Sequence, residues 1–412
     1  MSAQRLYTLG RAAAVLTRPS FLFVANNFLT PNTAENLAVA FLASALALAF
    51  VAAAPHRRFY ITHFDPDVIV NGLSFYVYAM SVALLIVAGS VFVLLMSMYF
   101  SGSIALACAT VVYFSSEKIA DELLRLRLFE RNLAGWGAAS LARSAVQLGG
   151  FAVLLGLMGT GVAALPAVLA LALGNLVVFP RQLPVHLRRS FSLRSKRMAR
   201  LARRAIRSMV GNWILWVLAL FGTGVGYLDR VVALSVDRTV LPLFTLVVMC
   251  FSIVQLAVSY YYVSQHRRDF LERGISIRGA FCSKDFLGSF IGGLAVASCM
   301  CAVVLPLSRG GDQFPLLYLI VIAALQALLA AVDVPREIAY WKGHLKAMLR
   351  IEVTIWVTIA CALLGAWWGG LSGNQILGLV VGFAALRCGL YAIVAGSERG
   401  ERLHQSERLP LG

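Results

Sequence analysis

The sequence predicts an all-α polytopic membrane protein with twelve transmembrane helices in two pseudo-symmetric six-helix bundles. Three observations carry that prediction: an apolar composition, recurrent runs of membrane-spanning length, and stretches of the first half that reappear in the second. Of 412 residues, 60% are hydrophobic and 13% charged, with a mean hydropathy of +0.80. A soluble chain of this length needs more polar residues to cover its surface. The apolar runs are roughly 20 residues long, enough to cross about 30 Å of hydrocarbon. Strands of membrane β-barrels alternate apolar and polar residues, which these runs do not.

From the start, Met1 to Arg11 lacks a short apolar core followed by a small-residue cleavage site, so no cleaved signal is expected. Spans 1 to 3 are predicted at roughly 8–28, 36–54 and 70–98, the third long enough to need a tilt. Span 4 starts near 103 and runs into a charged extension ending near Arg131. Spans 5 and 6 follow at roughly 134–158 and 161–180. Spans 7 to 12 are predicted at roughly 210–228, 239–263, 286–306, 315–332, 351–369 and 375–395. The resulting organisation is an N-terminal bundle over 1–180, a basic linker over 181–209, a C-terminal bundle over 210–396 and a tail over 397–412.

Thirty lysines and arginines fall on one side of this arrangement and three, Arg230, Arg238 and Arg309, on the other. Cytoplasmic loops of membrane proteins collect lysine and arginine, which places both termini in the cytoplasm. The same rule accounts for the net charge of +17, which would otherwise suggest nucleic acid; no nucleic-acid partner is expected. In the linker, Leu187, Phe191, Met198, Leu201, Ala205 and Met209 recur at mostly helical spacing among arginines. That pattern predicts an amphipathic helix on anionic inner-leaflet lipids. The seven cysteines lie in or beside apolar runs and read as packing residues, with no CxxC motif among them.

Two shifts align the halves. Asn26-Asn27-Phe28 falls on Asp229-Arg230-Val231 and Asn36 to Phe41 on Thr239 to Phe244 with one shift; Glu117 to Asn132 falls on Asp333 to Met348 with another. Parallel halves imply a pseudo-two-fold axis along the membrane normal and a substrate path between the halves.

No GxSxG, Walker A, HExxH or glycine-rich dinucleotide motif occurs, all six histidines fall in predicted cytoplasmic segments, and the outer loops are short. No enzyme activity and no cofactor or metal is expected. Ionisable residues inside spans cost several kcal/mol unless paired or hydrated, which makes each a candidate. Arg18 lies mid-way along span 1 before Pro19, Arg143 lies in span 5 with Gln147 one turn on, and Arg387 lies in span 12. Asp229 and Arg230 close span 7 and Asp237 and Arg238 open span 8, either as substrate contacts or as pairs bracing a tight outer turn. Three arginines with no acid foreseen at their depth predict a cationic interior and an anionic substrate such as a pyrophosphate or acidic sugar.

The two six-span halves, the basic linker and Leu228-Asp229-Arg230-Val231-Val232 resemble polysaccharide transporters of the MOP flippase superfamily, the O-antigen and exopolysaccharide flippases of Wzx type. The first half departs from the family in carrying Leu29-Thr30-Pro31-Asn32 and Ala54-Pro55-His56 where members commonly have glycine. The resemblance implies flipping of a lipid-linked oligosaccharide on undecaprenyl pyrophosphate for O-antigen or exopolysaccharide biosynthesis. The family pattern places a charged pair at the end of span 7, matched here by Asp229 and Arg230. With the residues singled out above, the candidate substrate contacts are Arg143, Arg387, Arg18, Gln147, Asp229, Arg230, Asp237, Arg238, Asn26 and Asn27, and other glycan-assembly membrane proteins are candidate partners. Alternatives are a MATE-like exporter of cations, a major-facilitator transporter of a small solute, a glycan polymerase or ligase, and a non-transporting partner in polysaccharide assembly. A MATE-like exporter needs carboxylates deep in the N-terminal half, and spans 1 and 2 offer only Glu35 near their outer edge.

Overall fold

The computed structural model describes residues 2–52, 72–129, 132–179, 195–211, 213–236, 238–263, 266 and 276–397. Fifteen α-helices and no strands occur among them: α1 Ala3–Phe28, α2 Pro31–Ala52, α3 Gly72–Ser101, α4 Ile104–Phe129, α5 Leu133–Met158, α6 Ala164–Leu176, α7 Ser195–Gly211 and α8 Trp213–Val225. They continue with α9 Leu228–Val236, α10 Leu241–Ala257, α11 Ile277–Phe281, α12 Lys284–Leu307, α13 Leu316–Trp341, α14 Leu345–Gly369 and α15 Gly373–Gly396. Each predicted interval overlaps a helix among the described residues. Seven stretches, in α3, α5, α10 and α12 to α15, are long and apolar enough to cross a membrane among the described residues. The protein is therefore an all-α membrane protein. Helix α4 misses that criterion through its charges, and α6 and α8, at 13 residues each, would rise only about 20 Å.

Outward faces are apolar. On α3, Val87, Val91, Leu95 and Tyr99 stand exposed at four-residue spacing, and α12 presents Leu287, Ile291, Val303 and Leu307. In water such faces would be a liability; against lipid they satisfy the bilayer, while each helix satisfies its own backbone.

The chain divides into two compact units, Met1–Ala219 and Leu220–Gly412, the boundary falling within α8. In the first, α2 packs on α3 and α4, and α6 packs on α4 and α5; in the second, α10 packs on α12 and α13, and α15 on α13 and α14. Each unit thus repeats the same helix pairings, second with third, second with fourth, fourth with sixth and fifth with sixth. The linker helix α7 belongs to the first unit, with Leu201 and Ala205 buried and its contacts on α3. Much of the predicted linker, 180–194, and the tail, 398–412, lie outside the described residues.

Helix α1 lies along α5, and glycine decides how closely. A Cβ on Gly137 would stand 2.3 Å from the Leu6 carbonyl oxygen, and one on Gly10 would stand 2.5 Å from that of Gly137. Backbones touch here because neither residue has a side chain, the usual way membrane helices gain van der Waals contact where burial against lipid supplies no drive. Phe21 stacks on Phe151 at 3.9 Å further along the same pair. Helix α1 continues through Pro19, which is itself buried. In the second unit the equivalent pair is tied differently: Trp356 of α14 donates its indole N–H to the Phe221 carbonyl of α8 at 3.1 Å.

Two expectations change at span 7. It does not close on Asp229-Arg230: α8 ends at Val225, and the pair sits in the first turn of a separate helix, α9. The connection between α8 and α10 is therefore built around a nine-residue helix packed on α15 and α10 rather than a tight turn. Glycines at 222, 224 and 226 weaken the helix where it breaks, and an aspartate in the first turn of α9 suits the positive end of its dipole. The aligned Asn26-Asn27 instead end an unbroken α1, so the first repeat is one of sequence and not of local structure.

Candidate functional site

Among the described residues, buried charges gather into one main cluster in each unit, with Asp229 and Arg230 apart from them. In the first, the glutamate Glu117 lies half-way along α4 and draws three other helices to one carboxylate. Its Oε1 pairs with Arg18 of α1 and, at 3.3 Å, with Nη2 of Arg143 on α5. Its Oε2 accepts the Ser44 hydroxyl of α2 at 3.3 Å, and Tyr113 stands one turn back on α4. Asp121, one turn on, takes the other nitrogen of Arg143 at 2.8 Å. Glu117 is 5% exposed and Arg143 11%, whereas Arg18 and Asp121 keep 29% and 34% of their side chains accessible. The cluster is thus sealed at its centre and open at Arg18 and Asp121.

A neutral network extends it. Gln147 donates to the Leu171 carbonyl at 3.1 Å and to Asn175 Oδ1 at 3.0 Å, and Asn175 donates to Ser116 Oγ at 3.0 Å. Gln147 therefore joins α5 to α6 rather than sharing an open face with Arg143. All three side chains are buried. Buried amides with their partners satisfied rigidify a core and specify it.

The second unit repeats the acid and moves the rest. Asp333, aligned with Glu117, lies on the fourth helix of its half and accepts the Ser259 hydroxyl at 2.6 Å, from the turn that continues α10. Ser44 on α2 and Ser259 after α10 thus serve equivalent carboxylates, which gives the second sequence repeat a structural counterpart. Asp333, however, takes its arginine from its own helix, Arg336 at 2.7 Å. Nearby, Arg387 of α15 donates through Nε and Nη2 to Oε1 of Glu352 on α14 at 3.0 and 2.6 Å, and Tyr391 donates to the same oxygen at 2.8 Å. Arg387 and Glu352 are 1% and 0% exposed. Gly222 of α8 leaves room for them: a Cβ there would stand 3.0 Å from Arg387 Nη2.

These pairs correct the reading of a purely cationic interior. Arg18 and Arg143 face Glu117 and Asp121, and Arg387 faces Glu352, so each arginine has a carboxylate at its own level. The sequence reading missed those acids because Glu117, Lys118, Asp121, Glu122 and Arg125 together look like a solvated extension. In fact Glu117 and Asp121 meet the arginines of α1 and α5, while Lys118 and Arg125 both sit on Glu122. The signal available was spacing: Tyr113, Glu117 and Asp121 recur every four residues on one helical face.

The other candidates lie apart from both clusters. Asn26 and Asn27 are half-buried in the last turn of α1. Asp229 is fully buried and accepts the Arg230 backbone N–H at 2.8 Å, while the Arg230 guanidinium lies 4.7 Å over the Tyr227 ring. Arg238 opens the short 3-10 turn before α10, and Asp237 lies outside the described residues.

With this geometry in hand, the chain was compared with known proteins: no family model, no curated protein and no solved structure matches it. Fold and clusters define its class, a helical membrane protein that buries charged side chains at the centre of its helix bundles.

Proposed function

We propose that the protein is a flippase with twelve spans in two pseudo-symmetric six-helix bundles. It moves an anionic lipid-linked oligosaccharide across a bacterial inner membrane by alternating access, for surface polysaccharide synthesis. The observation that carries this reading is the Arg18–Glu117–Arg143–Asp121 cluster. Buried ion pairs stabilise little, because desolvation offsets their attraction, so charge kept inside a bundle is retained for work other than stability. Arg18 and Arg143 come from different helices, converge on one carboxylate, and have the planar donors that recognise phosphate oxygens. The anionic inner leaflet is the second partner in this reading. Arg200, Arg203, Arg204 and Arg207 form an exposed ridge on α7, opposite the flank that docks on α3.

The test is complementation of a strain lacking the gene, read as surface glycan. Arg143→Ala is expected to lower surface glycan at least tenfold at unchanged protein level, and Arg143→Lys to restore part of it, since the charge returns without the bidentate fork. Wild-type glycan from Arg143→Ala overturns the reading.

One observation favours a second reading, a MATE-like exporter of cations. Glu117 is the deep N-terminal carboxylate that such a transporter needs, and it reaches both α1 and α2. Two arginines on the same carboxylate argue against a cation there, because each would repel it. Drug sensitivity of the deletion strain with intact surface glycan would reverse the order of the two readings.

A further inference from the structure

We propose that Glu117 is an internal counter-ion that the substrate displaces, so that a phosphate diester anion binds Arg18 and Arg143 together with one proton taken up at Glu117. The inference rests on the flippase reading for the identity of the anion, and on the cluster's own geometry for the proton.

In the structure as it stands, the two arginines are already occupied. Glu117 Oε1 holds Arg18 and Arg143 at once, and Asp121 anchors the second nitrogen of Arg143. Among the described residues each guanidinium in the cluster faces a carboxylate, so an incoming anion has to compete with one of them for its donors. Asp121 is the more accessible acid and keeps a single arginine; Glu117 is the buried one and lies between both. An anion entering from the open side, at Arg18, therefore competes with Glu117 for the same donors.

Once Arg18 and Arg143 turn to a phosphate, Glu117 is left at 5% exposure with the Ser44 hydroxyl of α2 as its donor among the described residues. A buried carboxylate stripped of its cations is costly, and a phosphate beside it raises the cost. Lys118, next in sequence, is committed to Glu122 and Arg125 shares the same acid, so neither replaces the lost arginines. The contacts described on α6 near this point come from neutral Gln147, Asn175 and Ser116, and α2 supplies Ser44. Charge balance then requires a proton from water on Glu117: one anionic charge arrives and one carboxylate charge disappears. Anion and proton bind as a pair, each raising affinity for the other by the same factor.

The second unit shows why the device belongs to the first. Asp333 takes Arg336 from its own helix, and Glu352–Arg387 is closed to solvent, so neither offers an arginine held by a foreign helix and open at one edge.

The experiment uses the purified full-length protein in detergent and the probe dimethyl phosphate, a phosphate diester whose single charge is fixed near neutral pH. Calorimetry in buffers of different ionisation enthalpy reads proton uptake with affinity. For the wild type, affinity is expected to fall as pH rises, by up to about tenfold per pH unit, with close to one proton taken up. Glu117→Gln should bind at least about tenfold more tightly at the alkaline end, with no proton uptake and a flat profile. Ser44→Ala, a milder change, leaves Glu117 with one donor fewer and is expected to tighten binding a fewfold while keeping the slope. A Glu117→Gln protein with the wild-type slope overturns the counter-ion. Should that variant not fold, a Ser44→Ala affinity equal to wild type overturns it instead. No probe binding to either protein overturns the anion site along with the function it rests on. Binding with proton uptake in a protein that does not support surface glycan leaves the counter-ion standing and overturns the flippase reading alone.

Discussion

Glu352→Ala is expected to eliminate most of the folded protein. The substitution leaves the Arg387 guanidinium, 1% exposed, inside a helical bundle with no carboxylate on Nε or Nη2, and takes from Tyr391 the oxygen its hydroxyl reaches. Removing one partner of a buried pair costs about 3–5 kcal/mol, a large part of the 5–15 kcal/mol that holds a typical protein together. The measurement is the monodisperse fraction after detergent extraction and its melting temperature. A double substitution, Glu352→Leu with Arg387→Met, removes both charges and should recover most of the loss, because well-packed apolar groups often replace such a pair at no cost. Failure of the double variant to recover would mean that the pair does more than neutralise itself. Full recovery of fold and of surface glycan would remove Arg387 from the substrate contacts, in keeping with its closed position here.

Gly137→Leu is the second large effect. Its Cβ alone would lie 2.3 Å from the Leu6 carbonyl oxygen, a backbone atom that cannot rotate away, so α1 must separate from α5. That separation also parts Arg18 from Arg143 and Phe21 from Phe151, and the expected loss is at least about 3 kcal/mol with surface glycan abolished. Gly149→Leu provides the control on the same helix, since nothing lies within 4 Å of its Cβ. Equal extraction yields and glycan levels for the two variants would show that the α1–α5 contact is not where the first unit is held.

Much of the helical order was legible because hydropathy needs only a window of sequence. Each predicted interval overlaps a helix, and Arg18, Arg143 and Arg387 were singled out because an arginine in an apolar run is conspicuous. Their partners were not. Glu117 and Asp121 stand among Lys118, Glu122 and Arg125, a run whose charges suggest solvent until their directions around the helix are known. Glu352 follows Arg350 and falls at the start of a span, where it reads as a loop charge. The end of span 7 was misplaced for a related reason: Asp229 and Arg230 look like a polar terminus, yet Asp229 is completely buried as part of the next helix.

What the sequence determined by itself is the solvent the protein lives in and the order of its helices, since both follow from how apolar residues are distributed along the chain. Its repeat also reaches the structure at Glu117 and Asp333, where aligned acids each accept a serine hydroxyl, though from non-aligned positions. Only the tertiary structure decided which charges neutralise which. Arg18 and Glu117 are ninety-nine positions apart, and Arg387 and Glu352 thirty-five. The energy of a buried charge depends on what lies within a few ångströms of it, and that distance is set by helices crossing in space, as at Gly10 and Gly137, not by their order in the chain.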